Sequence, residues 1–237
     1  MKRVPRFYVD TRLAEGARVE LAGAAAHHVL RVLRLREGDA ITLFDGSGGE
    51  WDAVLLSKSQ VELKRHRAME RESPLRVVLV QGVSSGERMD ITVQKSVELG
   101  VAAIQPVLTR KSVVRLEGSR AEARVEHWRR VAVAACEQCG RNRIPEMRPL
   151  VDLQKYCEQV HDPAPRVLLS PGGDSLRNFE IQAATLAAGP EAGFTEDEEA
   201  VLEAAGFKKA SLGPRILRTE TAALAALAAL NALKGDF

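Results

Sequence analysis

The sequence predicts an α/β protein: a small strand-rich N-terminal barrel followed by a larger domain of alternating strands and helices. Three observations predict it. Residues up to about 72 read mostly as strand, with one helix inserted. From Leu75 onward, short apolar runs alternate with helix-length segments, the pattern of βαβ units around a parallel sheet. Between the two lies Glu70-Arg71-Glu72-Ser73-Pro74, polar and ending in proline, which reads as a linker. The expected domains are 1–72 and 73–237.

In the first domain, Arg6–Val9, Ala40–Phe44 and Trp51–Leu56 alternate or run apolar, as strands do. Asp45-Gly46-Ser47-Gly48-Gly49 between the last two is a hairpin turn. The inserted helix is expected from about Gly23 to Leu35, with Val29, Leu30, Val32 and Leu33 on its apolar side.

In the second domain, Leu75–Val80 is nearly continuously apolar, as in a parallel strand covered on both faces. A helix over Glu87–Leu99 stops at Gly100, and a strand follows at Ala102–Val107. Ser119–Cys139 is a long helix, with Ser119 placed to cap it and Glu122 to complete a capping box. Strands at Arg166–Leu169, Thr185–Ala188 and Lys208–Leu212 then alternate with helices at Glu196–Ala205 and Thr219–Leu233. Leu224, Leu227, Leu230 and Leu233 in the last helix read as a core stripe, and its alanines would permit a dimer seam.

Composition sets bounds on function. The chain of 237 residues is 45% hydrophobic, enough for a packed core. No apolar run approaches the roughly 20 residues of a membrane span, and Met1–Arg6 leads into a strand rather than a signal core. The cytoplasm is the expected compartment. Net charge is +2 but uneven: residues 105–150 hold 10 basic against 5 acidic side chains, whereas 151–237 hold 8 against 13. The basic middle segment is suited to phosphates. Cys136 and Cys139 form a C-x-x-C pair, but no second pair or suitable histidines complete a metal site, so no metal is expected.

Two motifs invite enzymatic readings. Gly82-Val83-Ser84-Ser85-Gly86 matches G-x-S-x-G after a strand, yet no histidine follows the last strands to complete a hydrolase triad. More informative are two glycine-bearing loops, each after a short apolar strand. They are Gly189-Pro190-Glu191-Ala192-Gly193-Phe194 and Leu212-Gly213-Pro214-Arg215-Ile216-Leu217-Arg218-Thr219. Such loops at neighbouring strand ends let the backbone grip a ligand. Neither is G-x-G-x-x-G, which disfavours a nicotinamide cofactor. A third polar cluster, Glu137-Gln138-Cys139-Gly140-Arg141-Asn142-Arg143, ends the long helix with groups able to bind phosphates or base edges.

These segments, with Arg3–Phe7, His28–Arg34 and Gln94–Val101, occur in the order seen in one family. The chain resembles the RsmE family of small-subunit ribosomal RNA methyltransferases, in the SPOUT superfamily. The resemblance implies a PUA-like, OB-type N-terminal barrel that helps hold RNA. It also implies a C-terminal methyltransferase domain with a deep trefoil knot, in roughly 165–225, and a homodimer. S-adenosylmethionine would donate a methyl group to N3 of uridine 1498 of 16S rRNA in the 30S subunit.

Carried onto this chain, the family's cofactor loops fall on Leu168, Leu169 and Ser170, then on Gly189, Pro190, Glu191 and Gly193. The third falls on Leu212, Gly213, Ile216, Leu217, Arg218 and Thr219. Arg218 and Arg141 are candidates to stabilise the uridine anion, and Glu191 and Glu137 to accept its proton. The candidate RNA contacts are Arg3, Arg6, Arg31 and Arg34 in the barrel. Further along the chain they are Arg110, Lys111, Arg115, Gln138, Arg141 and Arg143. One position departs from the family pattern: Ala192 stands where glycine is usual. A negative φ there would tolerate the methyl group, whereas a positive φ would cost about 1 kcal/mol.

Overall fold

In the N-terminal part of the chain, short strands carrying β-branched and aromatic residues form one five-stranded sheet. They are β1 (Arg6–Tyr8), β2 (Arg18–Glu20), β3 (Ala40–Phe44), β4 (Glu50–Leu55) and β5 (Gln60–Arg67), in the order β1-β3-β4-β5-β2. β1 pairs parallel with β3, and the other pairs are antiparallel. Phe7, Ile41, Leu43, Ala53, Leu55, Val61 and Leu63 fill the core of this unit, each at 2% exposure or less. The structure, a computed structural model, describes residues 4–114, 116–163, 165–179 and 181–237, with only the backbone of Ala24. Arg3 and Arg115 lie outside the described residues.

The inserted helix changes its winding partway. α1 (Gly23–His27) runs into a π-helical turn, His28–Val32, closed by Leu33 N–H donating to the His28 carbonyl. Such wide turns concentrate at functional sites. Val29 faces the core, but Val32 and Leu33, expected on the apolar side, are 59% and 39% exposed.

The chain divides into two compact units. The first runs to Glu72 and also takes in Cys136–Ile144. A buried carboxylate explains that addition. Glu50 is 2% exposed at its side chain and forms ion pairs with Arg6, with Arg67 at 2.7 Å and with Arg71 at 3.3 Å. Arg6 also donates to Asn142 Oδ1 at 2.8 Å and to the Arg141 carbonyl at 3.1 Å, with its guanidinium over the Phe44 ring. Arg71 donates to the Gly140 carbonyl at 2.8 Å. The carboxylate's own arginines thus fasten residues 140–142 to the sheet.

The second unit comprises Ser73–Ala135 and Pro145–Phe237. Its elements are β6 (Arg76–Gly82), α2 (Gly86–Glu98), β7 (Ala103–Leu108), α3 (Gly118–Cys139, whose last turn belongs to the first unit), β8 (Glu146–Met147), β9 (Val151–Asp152) and α4 (Leu153–Glu158). β10 (Arg166–Ser175), β11 (Ala183–Ala188), α5 (Glu196–Ala204), β12 (Phe207–Ser211) and α6 (Thr219–Lys234) complete it. The strands are parallel in the order β12-β10-β11-β6-β7-β8, with β9 also on β7. Every residue of β6 after Arg76 is buried, as its apolar run requires in a strand covered on both faces.

α6 packs against β6, β11 and α2, while α4 and α5 cover β7 and β12. Buried Asn231 pins the α2–α6 contact: its amide donates to the Leu99 carbonyl at 2.7 Å and its oxygen accepts from Ser73 at 2.8 Å. Of the expected leucine stripe in α6, Leu227 and Leu230 are buried, whereas Leu233 is 47% exposed. α3 begins at Gly118, so Ser119 sits inside its first turn rather than capping it. The capping box that does form is at α5, where Thr195 and Glu198 bond each other's backbone N–H.

Glu50 generates a prediction. Burial by itself would raise its pKa, but Arg6, Arg67 and Arg71 outweigh burial and hold it below its ordinary 4.5. A depressed folded pKa stabilises the fold above the unfolded value, and that contribution is lost as pH falls through the folded one. Glu50→Gln is predicted to cost about 3 kcal/mol in urea unfolding at pH 7, and the gap from wild type should narrow below pH 4.5. A gap that is absent at pH 7 would remove Glu50 from this role.

Candidate active site

Parallel strands end at one edge of a sheet, and the crevice outside those ends is where α/β proteins bind ligands. In the second unit a cavity of about 400 Å³ lies there. Its walls are Leu169, Ser170 and Pro171 of β10, Ala188 to Phe194 after β11, Ala210 to Leu217 around the end of β12, Glu199 of α5, and Thr219 and Ala222 of α6, Pro214 excepted. Half of this lining is glycine, alanine, serine and threonine. Its charged members are Glu191, Glu199 and Arg215.

β10 does not simply stop at Ser170. It resumes after an irregularity between Leu169 and Asp174, both of which pair with Ala210, and so carries Ser170 and Pro171 out to the cavity wall. Ser170 Oγ donates to Glu199 at 3.0 Å, and Lys209 pairs with the same carboxylate at 3.0 Å.

The loop after β11 is held from three sides. Beneath it, Gln81 is fully buried; its amide donates to the Gly189 carbonyl at 3.2 Å and to Thr219 Oγ1 at 3.0 Å. Thr219 donates in turn to the Gly189 carbonyl at 2.5 Å. This links β6, the Gly189 loop and the start of α6. On one side, Glu191 accepts from the Ser85 N–H at 2.8 Å, the Ser85 hydroxyl at 2.7 Å and Arg88 at 3.1 Å. On the other, Lys111 donates to the carbonyls of Ala192 and Phe194, each at 3.2 Å. A Cβ on Gly82 would lie 2.6 Å from Pro190, so the G-x-S-x-G glycine exists to let β6 approach this loop. Ser84 is buried and donates to the Gly82 carbonyl, which leaves no exposed nucleophile.

Ala192 is not among the residues with positive φ; Gly193 beside it is, at 68°. The left-handed position of the turn therefore falls on the glycine, and the alanine carries no strain.

The carboxylates differ in state. Burial would raise Glu191, but Ser85 and Arg88 outweigh it and hold its pKa at about 2. It is an anion anchored by Ser85 and Arg88. Glu137, in the first unit, is pushed above its ordinary value by burial, against the Tyr8 N–H that it accepts at 2.9 Å.

The remaining candidates separate by exposure. Leu168 is fully buried in the core and does not line the cavity. Arg218 occupies the N-cap position of α6, exposed, between the lining residues Leu217 and Thr219. In the first unit, Arg141 is 4% exposed and pairs with Glu72 at 2.5 Å, and Arg6 is engaged by Glu50. Arg31, Arg34 and Gln138 are exposed, and Arg143 is exposed beside Glu70 at 3.3 Å. In the second unit, Arg110 pairs with Asp197 at 2.5 Å. Glu199 escaped sequence reading because it is one of four successive acidic residues starting α5, and only the contact with Ser170 distinguishes it. Among the described residues no group could hold a metal ion, and no helix is long and apolar enough to cross a membrane.

The parallel sheet with its loops around a cavity follows a small β unit, and family models give these two parts as an RNA methyltransferase domain and a PUA domain. The family model described as an RNA methyltransferase domain matches residues 71–231, and that of an RNA methyltransferase PUA domain matches 21–64. Ribosomal RNA small subunit methyltransferase E of Bacillus subtilis is 30% identical over 98% of this chain and 99% of its own. The structure of the Neisseria gonorrhoeae enzyme of that name, bound to S-adenosyl methionine, is 40% identical, covers 99% of this chain and 100% of its own, and superposes with a TM-score of 0.90. A Legionella pneumophila structure with bound SAM is 38% identical over 99% of this chain and 100% of its own, with a TM-score of 0.95. The chain belongs to the ribosomal RNA small subunit methyltransferase E family.

Two substitutions test the loop. Gly193→Ala is predicted to cost about 1 kcal/mol in stability, because an L-residue is strained at that φ. Ala192→Gly should change stability by less than about 1 kcal/mol. Equal effects in thermal unfolding would show that the turn does not distinguish the two positions. Gln81→Leu leaves the Gly82 carbonyl and Thr219 short of a donor and is predicted to cost about 2 kcal/mol. A neutral result would show that this network does not hold the loops.

Proposed function

We propose that this chain transfers the methyl group of S-adenosylmethionine to N3 of uridine 1498 of 16S rRNA in the small ribosomal subunit. The observation that carries the reading is the cavity itself: three backbone segments, at the ends of β10, β11 and β12, converge on a volume suited to a small cofactor. The residues present fit that cofactor. The loops after β11 and β12 bring Gly189, Gly193 and Gly213 to the cavity wall, where backbone can approach a ligand closely. When bound, S-adenosylmethionine supplies a methyl group made electrophilic by its sulfonium. N3 loses its proton, the N3–C bond forms, the C–S bond breaks, and a thioether leaves. N3 lies on the pairing edge, so the uridine must be unpaired or extruded to react.

Arg218 is the chain's candidate for stabilising the imide anion, being exposed beside the cavity wall. Arg141, buried against Glu72, has a structural task as well. Glu137 and Glu191 are the candidate proton acceptors, and Glu191 also anchors its loop through Ser85 and Arg88. Arg31, Arg34 and Arg143 are exposed on the first unit and suit RNA phosphates.

We further read the second unit as a trefoil knot. In support, β12 lies beyond β10 from β11, so the chain crosses β10 and then returns through α6 to pack on β11 and β6. A homodimer through α6 fits its small residues, and the cytoplasm is the compartment that the substrate requires.

The test is methylation of purified 30S subunits lacking the modification, read by nucleoside mass spectrometry. The expected product is N3-methyluridine at one site; its absence, with cofactor bound, would overturn the target. Arg218→Ala is predicted to lower turnover about 100-fold while changing S-adenosylmethionine affinity less than about threefold, well under one tenfold step. Near-normal turnover would remove Arg218 from the chemistry.

A further inference from the structure

A second cavity, of about 510 Å³, lies in the second unit beside α4, reaching from Arg76 at the start of β6 to Gln105 of β7 and Val151 of β9. Its lining includes Arg76, the first residue of β6, and Pro163, just before β10, whereas the cofactor cavity takes the last residues of β11 and β12. A strand of β6's length separates the two edges by about 20 Å. The lining is strongly basic. Arg76, Lys155 and His161 are exposed and have no hydrogen-bond or ion-pair partner among the described residues.

The one carboxylate of the lining is already committed. Asp162 accepts two hydrogen bonds from Arg148, at 2.8 and 2.9 Å, and one from Tyr156 at 2.8 Å. Arg148 is matched by Asp162 and, at 3.2 Å, by Glu146 outside the lining, which leaves Arg76 and Lys155 as the unpaired cations of the cavity. None of these residues takes part in the cofactor cavity or in the buried arginine network of the first unit. Concave, cationic and braced by a satisfied ion pair, the site matches the geometry of a phosphate-binding surface.

We propose that this cavity binds phosphates of the RNA backbone away from the methylated uridine, a second contact beside the one at the cofactor cavity. The proposal rests on the RNA substrate proposed above. Two uncompensated cations in one concavity favour a polyanion whose phosphates recur at nucleotide spacing, and the separation from the cofactor cavity demands a ligand that reaches across the domain.

The experiment measures binding of full-length wild type and of Arg76→Glu/Lys155→Glu to 30S subunits at several salt concentrations. In parallel it measures methylation and S-adenosylmethionine binding. The variant is expected to bind 30S subunits at least about tenfold more weakly and to show a log–log salt slope shallower by about 2, one for each phosphate that the enzyme no longer neutralises. Its affinity for S-adenosylmethionine should equal that of wild type. Unchanged 30S affinity and slope would overturn the proposal even where wild type methylates normally. The expected shift in a protein that binds 30S subunits without methylating uridine would uphold this site and refute the proposed reaction. Arg76→Gln/Lys155→Gln, which removes charge without reversing it, repeats the test should the glutamate pair disturb folding, with the same slope change expected.

Discussion

The carbonyl of Gly189 is the point on which the cofactor cavity depends. It accepts hydrogen bonds from Thr219 and from Gln81, one at the start of α6 and the other near the end of β6. Backbone groups can grip a ligand only if the segments that carry them are fixed beforehand, since each ordered residue costs about 1–2 kcal/mol of conformational entropy. Buried hydrogen bonds provide that fixing, because no water can replace them. Around the same carbonyl, Glu191 reaches back to the start of α2 and Lys111 caps the far side of the loop. The loop is thus anchored by groups distant in sequence, and its lining can consist of small residues and backbone.

A second buried constraint organises the first unit. Glu50 could not stay ionised in its setting without Arg6, Arg67 and Arg71. Arg6 and Arg71 have further donors, which they direct to carbonyls and the amide of residues 140–142. One carboxylate therefore fixes the end of α3 to a sheet formed far earlier in the chain. Basic residues consequently fall into two kinds: Arg6 and Arg141 are buried and paired, whereas Arg31, Arg34 and Arg76 present charge to solvent. A count of arginines along the sequence does not separate them.

Much of the fold was legible. The apolar run of β6, the periodicity of α2 and the glycine loops after β11 and β12 all lie where local pattern places them. Local pattern failed where elements are short or charged. β2 has three residues, β8 and β9 two each, and β5 carries Lys64, Arg65 and Arg67 among its apolar positions. Ser119 met the capping pattern, but α3 starts one residue earlier. The loops of the site were legible because glycine and proline announce turns. Glu199, Gln81 and the Arg148–Asp162 pair were not, because their meaning lies in partners far along the chain.

By itself, the sequence determined the two-part α/β organisation and the family and pointed to the glycine loops proposed to carry the site, since each is written in local runs and motifs. Only the tertiary structure decided that Cys136–Ile144 joins the first unit, that Glu191 is held by Ser85 and Arg88, and that Ala192 is free of strain. The physical reason is common to all three. Ionisation, burial and backbone angle are set by neighbours brought together in space, and a sequence names those neighbours without saying which of them meet.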